Sequence, residues 1–127
     1  MADAGKTFLE ANGKKPDVTT TASGLQYKVI QPGNGPRPKA TDTVNVHYKG
    51  TFIDGKTFDS SYDRGEPISF SLKGVIAGWT EGVQLMPVGA TYEFYVPSHL
   101  AYGERGAGGV IPPNATLIFV VELLGIE

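Results

Sequence analysis

Apolar and polar residues alternate with a period of two over much of this chain, the spacing that turns one face of a β-strand to a core and the other to solvent. Leu25, Tyr27 and Val29 alternate with Gln26, Lys28 and Ile30 up to a Gly33-Asn-Gly-Pro36 turn, which predicts a strand. Val44, Val46, Tyr48 and Phe52 alternate with Asn45, His47, Lys49 and Thr51 up to Asp54-Gly55, a second and clearer half-buried strand. Its parity turns Tyr48 inward and His47 outward. Further strands are predicted over 68–72, over 91–97 with Tyr92, Phe94 and Val96 on one face, and over 116–126, which is apolar on both faces.

One internal segment has the helical period instead. Val75, Ile76, Trp79 and Val83 fall at i, i+1, i+4 and i+8, an apolar stripe of about three turns that Met86-Pro-Val-Gly89 ends. Near the start, Ala2 to Asn12 predicts a short helix stopped by Asn12-Gly13 with Pro16 beyond, contributing little to the core. Lys14 to Ser23, with three consecutive Thr, is polar and unpatterned and reads as a linker whose boundary falls near Thr21. Strands separated by turns, with one short helix among them, predict an α+β domain in which an antiparallel sheet covers its apolar face with that helix. The 127 residues are enough for one such core, and 17 Gly with 9 Pro fit many turns between short elements.

Charge and composition narrow the chemistry. A net charge of -2 and a pI near 5.6 offer no basic field for phosphate, so nucleic acid is not an expected partner. With no Cys, thiolate nucleophiles, disulfides and Cys-ligated zinc are excluded, while the compartment stays open between the cytoplasm and a bacterial periplasm or cell surface. No apolar stretch approaches the ~20 residues that span a bilayer, and Met1-Ala-Asp-Ala4 has no signal core, so a soluble chain without membrane insertion is expected. Gly103 to Gly109 lacks the Gly-Lys-Ser/Thr of a phosphate loop and leads into Val-Ile-Pro-Pro rather than a helix. His47 and His99 have no second ligand at helical spacing and read as surface residues, and nothing resembles Gly-x-Ser-x-Gly. Asp54, Asp59, Asp63 and Glu66 lie close enough for paired-carboxylate chemistry, but such loop clusters are usually solvated.

The informative feature is a set of rings that parity aims toward one place: Tyr48, Phe58, Phe70, Trp79, Tyr102 and Phe119. The plain alternative is closed core, and that reading is assigned to Tyr92, Phe94 and Phe52. Tyr and Trp need polar partners when buried, which favours a lined pocket for the first set. Phe58-Asp59 places a carboxylate beside a large ring; it is either a turn cap or a buried group needing partners, for which Tyr48 and Arg64 are the candidates.

Six ordered blocks now form a pattern: Val46-His-Tyr-Lys-Gly-Thr51, Phe58-Asp-Ser-Ser61, Val75-Ile-Ala-Gly-Trp79, Ala101-Tyr-Gly103, Ile111-Pro-Pro-Asn-Ala-Thr-Leu117 and Val121-Glu-Leu-Leu124. In order and spacing they resemble FKBP-type peptidyl-prolyl cis-trans isomerases over residues 23–127. Thr7-Phe-Leu-Glu-Ala-Asn12 followed by Ser23-Gly-Leu-Gln-Tyr27 resembles the bacterial Mip-like branch, with residues 1–22 as a helical remnant and linker; most of that branch's dimerisation region is missing, so a monomer is expected.

The resemblance implies a strongly bent antiparallel sheet wrapped over one short helix, with a pocket between them that accelerates X-Pro rotation in polypeptides and assists folding. It needs no cofactor, metal or covalent intermediate. It implies Trp79 as the pocket floor, Tyr48, Phe58, Phe70 and Phe119 as walls, Val75 and Ile76 beside them, and Tyr102 at the rim. It further implies Asp59, Tyr102 and Tyr48 as the catalytic set, Asp59 braced by Tyr48 and Arg64, and ligand contacts from Val110 and Ile111. Macrolide inhibitors of the FK506 and rapamycin class are implied ligands. Ile68, where many members carry a ring, and Ala107, where some are bulkier, depart from the pattern in ways that bear on peptide preference. Two other readings remain: a module that holds proline-bearing or unfolded chains without turnover, and a structural domain with no saturable site.

Overall fold

A computed structural model describes residues 4–107 and 110–127. The chain runs α1 (Ala4–Asn12), β1 (Thr19–Thr20), β2 (Gln26–Gln31), β3 (Thr43–Phe52), β4 (Thr57–Ser60), α2 (Ser61–Arg64), β5 (Ile68–Ser71), α3 (Ala77–Val83), β6 (Thr91–Val96) and β7 (Leu117–Ile126), with single 3-10 turns at Ser98–Leu100 and Gly103–Arg105. The strands form one sheet in the order β1-β2-β6-β7-β3-β4, with β5 also paired to β3, and every pairing is antiparallel. Ala2 and Asp3 of the expected first helix, and Gly108-Gly109 of the Gly-rich segment, lie outside the described residues.

The α+β architecture expected from the alternation is the one observed. Along β3 burial follows parity, with Val44, Val46 and Tyr48 buried and Lys49 exposed. The registers shift at Val29/Gln31, Asn45/Val46 and Gly50/Thr51. Such irregularities bend strands and increase twist, which curls the sheet over α3. On its outer side β3 pairs with two strands in succession: β5 takes Thr43 to Val46, and β4 takes Lys49 to Thr51.

Helix α3 is shorter than the apolar stripe suggests. Val75 and Ile76 belong to the stripe, but Ile76 is extended (φ -60°, ψ 152°) and precedes a helix of seven residues. A helix of that length does not persist alone in water and is held by what it packs on. Its buried face carries Gly78 and Gly82, one turn apart, so the helix backbone lies directly on β6. A Cβ at Gly78 would come within 2.6 Å of Val96 Cγ1, and one at Gly82 within 2.6 Å of Phe94 Cε1. Val96 and Phe94 are themselves fully buried. Thr80 Oγ1 ties the first turn to the chain after β5 by donating to the Leu72 carbonyl at 2.7 Å.

Several elements differ from expectation. The polar linker contains β1, which pairs with β2. The first helix does more than border the core: Asn12 is buried and its Nδ2 donates to Gln26 Oε1 at 2.8 Å, Gln26 Nε2 donates to the Leu9 carbonyl at 2.8 Å, and Phe8 packs on Tyr95. Val29 is exposed beside Ile30, because the bulge there ends the alternation of β2. Helix α2 and strand β4 are additional elements. Ser60 caps α2 by accepting the Asp63 N–H, and Gly65 (φ 80°) closes it.

In an exposed helix Gly→Ala adds up to ~1 kcal/mol of stability. At Gly82 the added methyl meets a buried ring, so Gly82→Ala is expected to lose about 1–3 kcal/mol through overpacking, read as a lower urea midpoint. Stability at or above that of the parent chain would show that Phe94 can move aside.

Candidate active site

The concave face of the sheet and α3 enclose an open cavity of about 240 Å³, lined by Tyr48, Phe58, Asp59, Phe70, Gly74, Val75, Ile76, Trp79, Tyr102 and Phe119. Each ring arrives from a different element, so the cavity exists only once the sheet has closed over the helix. Trp79 sits at its centre, with Tyr48, Phe70 and Phe119 meeting it edge-to-face at 5.3, 5.2 and 5.4 Å between ring centroids. Phe58 meets Phe119 in the same way at 5.7 Å. Such perpendicular contacts are the preferred packing of aromatic quadrupoles, and they fix ring planes as well as positions. Gly50 makes room for two of the rings: a Cβ there would lie 2.6 Å from Phe58 Cζ and 2.9 Å from Phe119 Cε1.

Trp79 is 4% exposed, and its Nε1–H is buried with no acceptor among the described residues. An unsatisfied buried donor costs about 1–3 kcal/mol. A sequence that needed only to fill space could place Phe or Leu here without that cost, which favours a role for the indole as a surface. The expectation that buried Trp and Tyr find polar partners thus holds for Tyr48 and not for Trp79.

The polar wall is built on Asp59. Tyr48 Oη donates to Asp59 Oδ2, Arg64 Nη1 donates to Asp59 Oδ1 at 2.7 Å, and Arg64 Nη2 donates to Tyr48 Oη at 3.2 Å. The Arg64 guanidinium also lies over the Tyr48 ring, 5.8 Å from its centroid. Partial burial alone would raise the Asp59 pKa, but the hydrogen bonds from Tyr48, Arg64 and the Ser60 backbone, with the Arg64 charge, outweigh it and hold the carboxyl below its ordinary value. Burial, and next the Asp59 carboxylate, push the Tyr48 phenol up. Asp59 keeps a side-chain exposure of 40%, so it is a wall group open to the cavity mouth rather than a buried charge. It does not cap α2; Ser60 does.

Of the other residues singled out in the sequence, Val75 and Ile76 line the cavity and Tyr102, 41% exposed, stands at it. Arg64 reaches it only through Asp59 and Tyr48. Ile68, Val110 and Ile111 do not line it: Ile68 is exposed opposite Val46, Val110 is exposed, and Ile111 is buried with its backbone bridged to Ala107. Phe94 and Tyr92 are core, and Phe52 packs behind Phe58. His99 is exposed, whereas His47 is half-buried under the Tyr62 ring, a correction to its surface reading. Sequence reasoning missed Gly74, Gly50 and Ser61. Gly50 and Ser61 fall inside two of the six ordered blocks, Val46–Thr51 and Phe58–Ser61, whereas Gly74 falls in none. Among the described residues no three His, Asp or Glu side chains cluster as metal ligands, and no helix is long and apolar enough to cross a membrane.

A family model described as FKBP-type peptidyl-prolyl cis-trans isomerase matches residues 35–124, and one described as a domain amino terminal to FKBP-type peptidyl-prolyl isomerase matches residues 1–29. The chain belongs to the FKBP-type peptidyl-prolyl cis-trans isomerase family. It is 63% identical over 123 residues to the FKBP-type peptidyl-prolyl cis-trans isomerase FkpA of Aeromonas hydrophila, covering 97% of this chain and 46% of that protein. It is 53% identical over 126 residues to the peptidyl-prolyl cis-trans isomerase Mip of Coxiella burnetii, covering 99% and 55%, which supports the Mip-like branch. The crystal structure of FkpA from Escherichia coli superposes with a TM-score of 0.93 at 51% identity, covering 97% of this chain and 57% of that one. The chain therefore spans about half the length of the curated relatives it matches.

A carboxyl with a depressed native pKa adds stability above its unfolded value, about 3.9, and loses it as pH falls toward the native one. Arg64→Met should raise the Asp59 midpoint in a carboxyl carbon NMR titration. The stability gap between the parent chain and Arg64→Met should narrow as pH drops below about 4. An unmoved midpoint would mean that Arg64 does not hold the carboxylate in solution.

Proposed function

We propose that this chain accelerates cis-trans rotation about X-Pro bonds in polypeptides, with the ring-lined cavity as its active site. The activity is assigned to residues 23–127, onto which the preceding residues add a helix and the strand β1 that pairs with β2. The observation that carries the reading is the cavity itself: an apolar hollow against Trp79 with one braced carboxylate on its wall. The family membership and the resemblance to FkpA and Mip point the same way.

The chemistry asks little of the residues. Amide resonance sets a rotation barrier of about 18–20 kcal/mol, while X-Pro isomers differ by only ~0.5–1 kcal/mol, so the barrier is what must fall. Twisting removes the resonance and makes the amide less polar. A water-poor hollow then favours the twisted form over the planar one, which is differential binding of the transition state. The rings of Trp79, Phe119, Phe70 and Phe58 hold the proline, the Tyr102 hydroxyl at the rim donates to the substrate carbonyl, and Asp59 with Tyr48 supplies the polar contact beside it. No bond is made or broken. The same hollow is the site at which macrolides of the FK506 and rapamycin class would compete with peptide.

Each ~1.4 kcal/mol of differential binding is tenfold in rate. Asp59→Ala is expected to lower kcat/KM roughly tenfold with little change in Tm, because the side chain is half-exposed. Trp79→Leu and Phe119→Leu should weaken peptide binding and turnover together. NMR exchange on an Ala-Pro peptide, free of any protease, reads all three. Parental rates in every variant would reject the pocket, and saturable binding without faster exchange would favour the holding module instead.

A further inference from the structure

Between the stretch of β3 paired with β5 and the stretch paired with β4, His47 and Tyr48 have no strand partner on that side. The first residue of α2 fills the gap. Ser61 is fully buried, and its Oγ accepts the Tyr48 backbone N–H at 2.7 Å while lying 3.2 Å from the Tyr48 carbonyl oxygen and 2.8 Å from His47 Nδ1. A hydroxyl has one proton and two lone pairs. With the Tyr48 N–H on one lone pair, the proton goes to either the Tyr48 carbonyl or His47, and a protonated Nδ1 takes the second lone pair. Every tautomer of His47 leaves the Ser61 hydroxyl engaged with Tyr48.

The next residue adds a second fastening. The Tyr62 ring stacks on His47 at 4.6 Å and 13°, and its hydroxyl donates at 3.1 Å to Glu122 Oε1, on the β7 residue that faces His47 in register. Burial and the Glu122 carboxylate push the Tyr62 phenol up to about 12, so it stays a donor at neutral pH. Arg64, the last residue of α2, is the one that reaches Asp59 and Tyr48 Oη. A helix of four residues cannot set its own orientation. The position of Arg64 is therefore decided by where Ser61 and Tyr62 are tied.

We propose that Ser61, seconded by Tyr62, is a positioning residue: it replaces a missing strand at Tyr48 and thereby fixes α2 so that Arg64 meets the Asp59 carboxylate. Ser61 does not line the cavity, and its effect on any ligand passes through Arg64, Asp59 and Tyr48. The inference takes from the proposed function that Asp59 belongs to the working site, but its test does not depend on turnover.

The readout is the Asp59 carboxyl titration midpoint by carbon NMR in the full chain. Ser61→Ala should raise it by roughly half a unit or more, toward the Arg64→Met value, and Ser61→Thr should restore it. In a double-mutant cycle, Ser61→Ala should add nothing to Arg64→Met, since both act on one contact. Tyr62→Leu alters an exposed side chain and should give a smaller rise in the same direction. A parental midpoint in folded Ser61→Ala overturns the proposal, as does a parental midpoint in Tyr62→Leu should Ser61→Ala not fold. A raised midpoint with unchanged kcat/KM upholds the positioning and leaves the role of Asp59 in turnover to the Asp59→Ala variant.

Discussion

Everything at the site depends on how closely α3 approaches β6. Gly78 and Gly82 bring the helix backbone against Val96 and Phe94, and that depth sets the height of Trp79 below the sheet. A helix displaced from β6 by a single methyl would shift the indole out of register with the rings of Tyr48, Phe70 and Phe119, which meet it edge-on. Interiors packed at crystal-like density transmit such shifts rather than absorb them. The two glycines forgo helix propensity, and the seven-residue helix that results is stable only as part of this packing.

The second design element is the separation of apolar and polar work. The floor and most of the wall are carbon, and the polar function is concentrated in Asp59, whose two oxygens are occupied by Tyr48 and Arg64. A carboxylate held in this way stays ionised and oriented beside rings that would otherwise favour its neutral form. The proposed isomerisation needs no more than this, because rotation moves no atoms between molecules.

Much of this was legible in the chain. Strand β3 alternates cleanly because one of its faces is buried along its length, and the same parity aimed Tyr48 inward. The rings of Phe58, Phe70, Trp79 and Phe119 converge as their positions suggested. What escaped notice has physical reasons. Helix α2 is too short for a periodic stripe, although Ser60-x-x-Asp63 followed by Gly65 carried its capping signature. The two residues of β1 cannot alternate, and Val75-Ile76 is as apolar as a helix start although Ile76 is extended and the helix begins only at Ala77. The orphaned Trp79 donor, the space at Gly50 and the hydroxyl of Ser61 depend on partners far along the chain. No alternation of apolar and polar residues reports them.

The interruption on the outer side of β3 has one more consequence. Unpaired main-chain groups on a strand are templates onto which foreign extended segments zip. Here a serine plugs the vacancy in the ladder. A protein whose proposed clients are unfolded chains thus offers them a hollow for one ring and, at that point, no rung on which to polymerise.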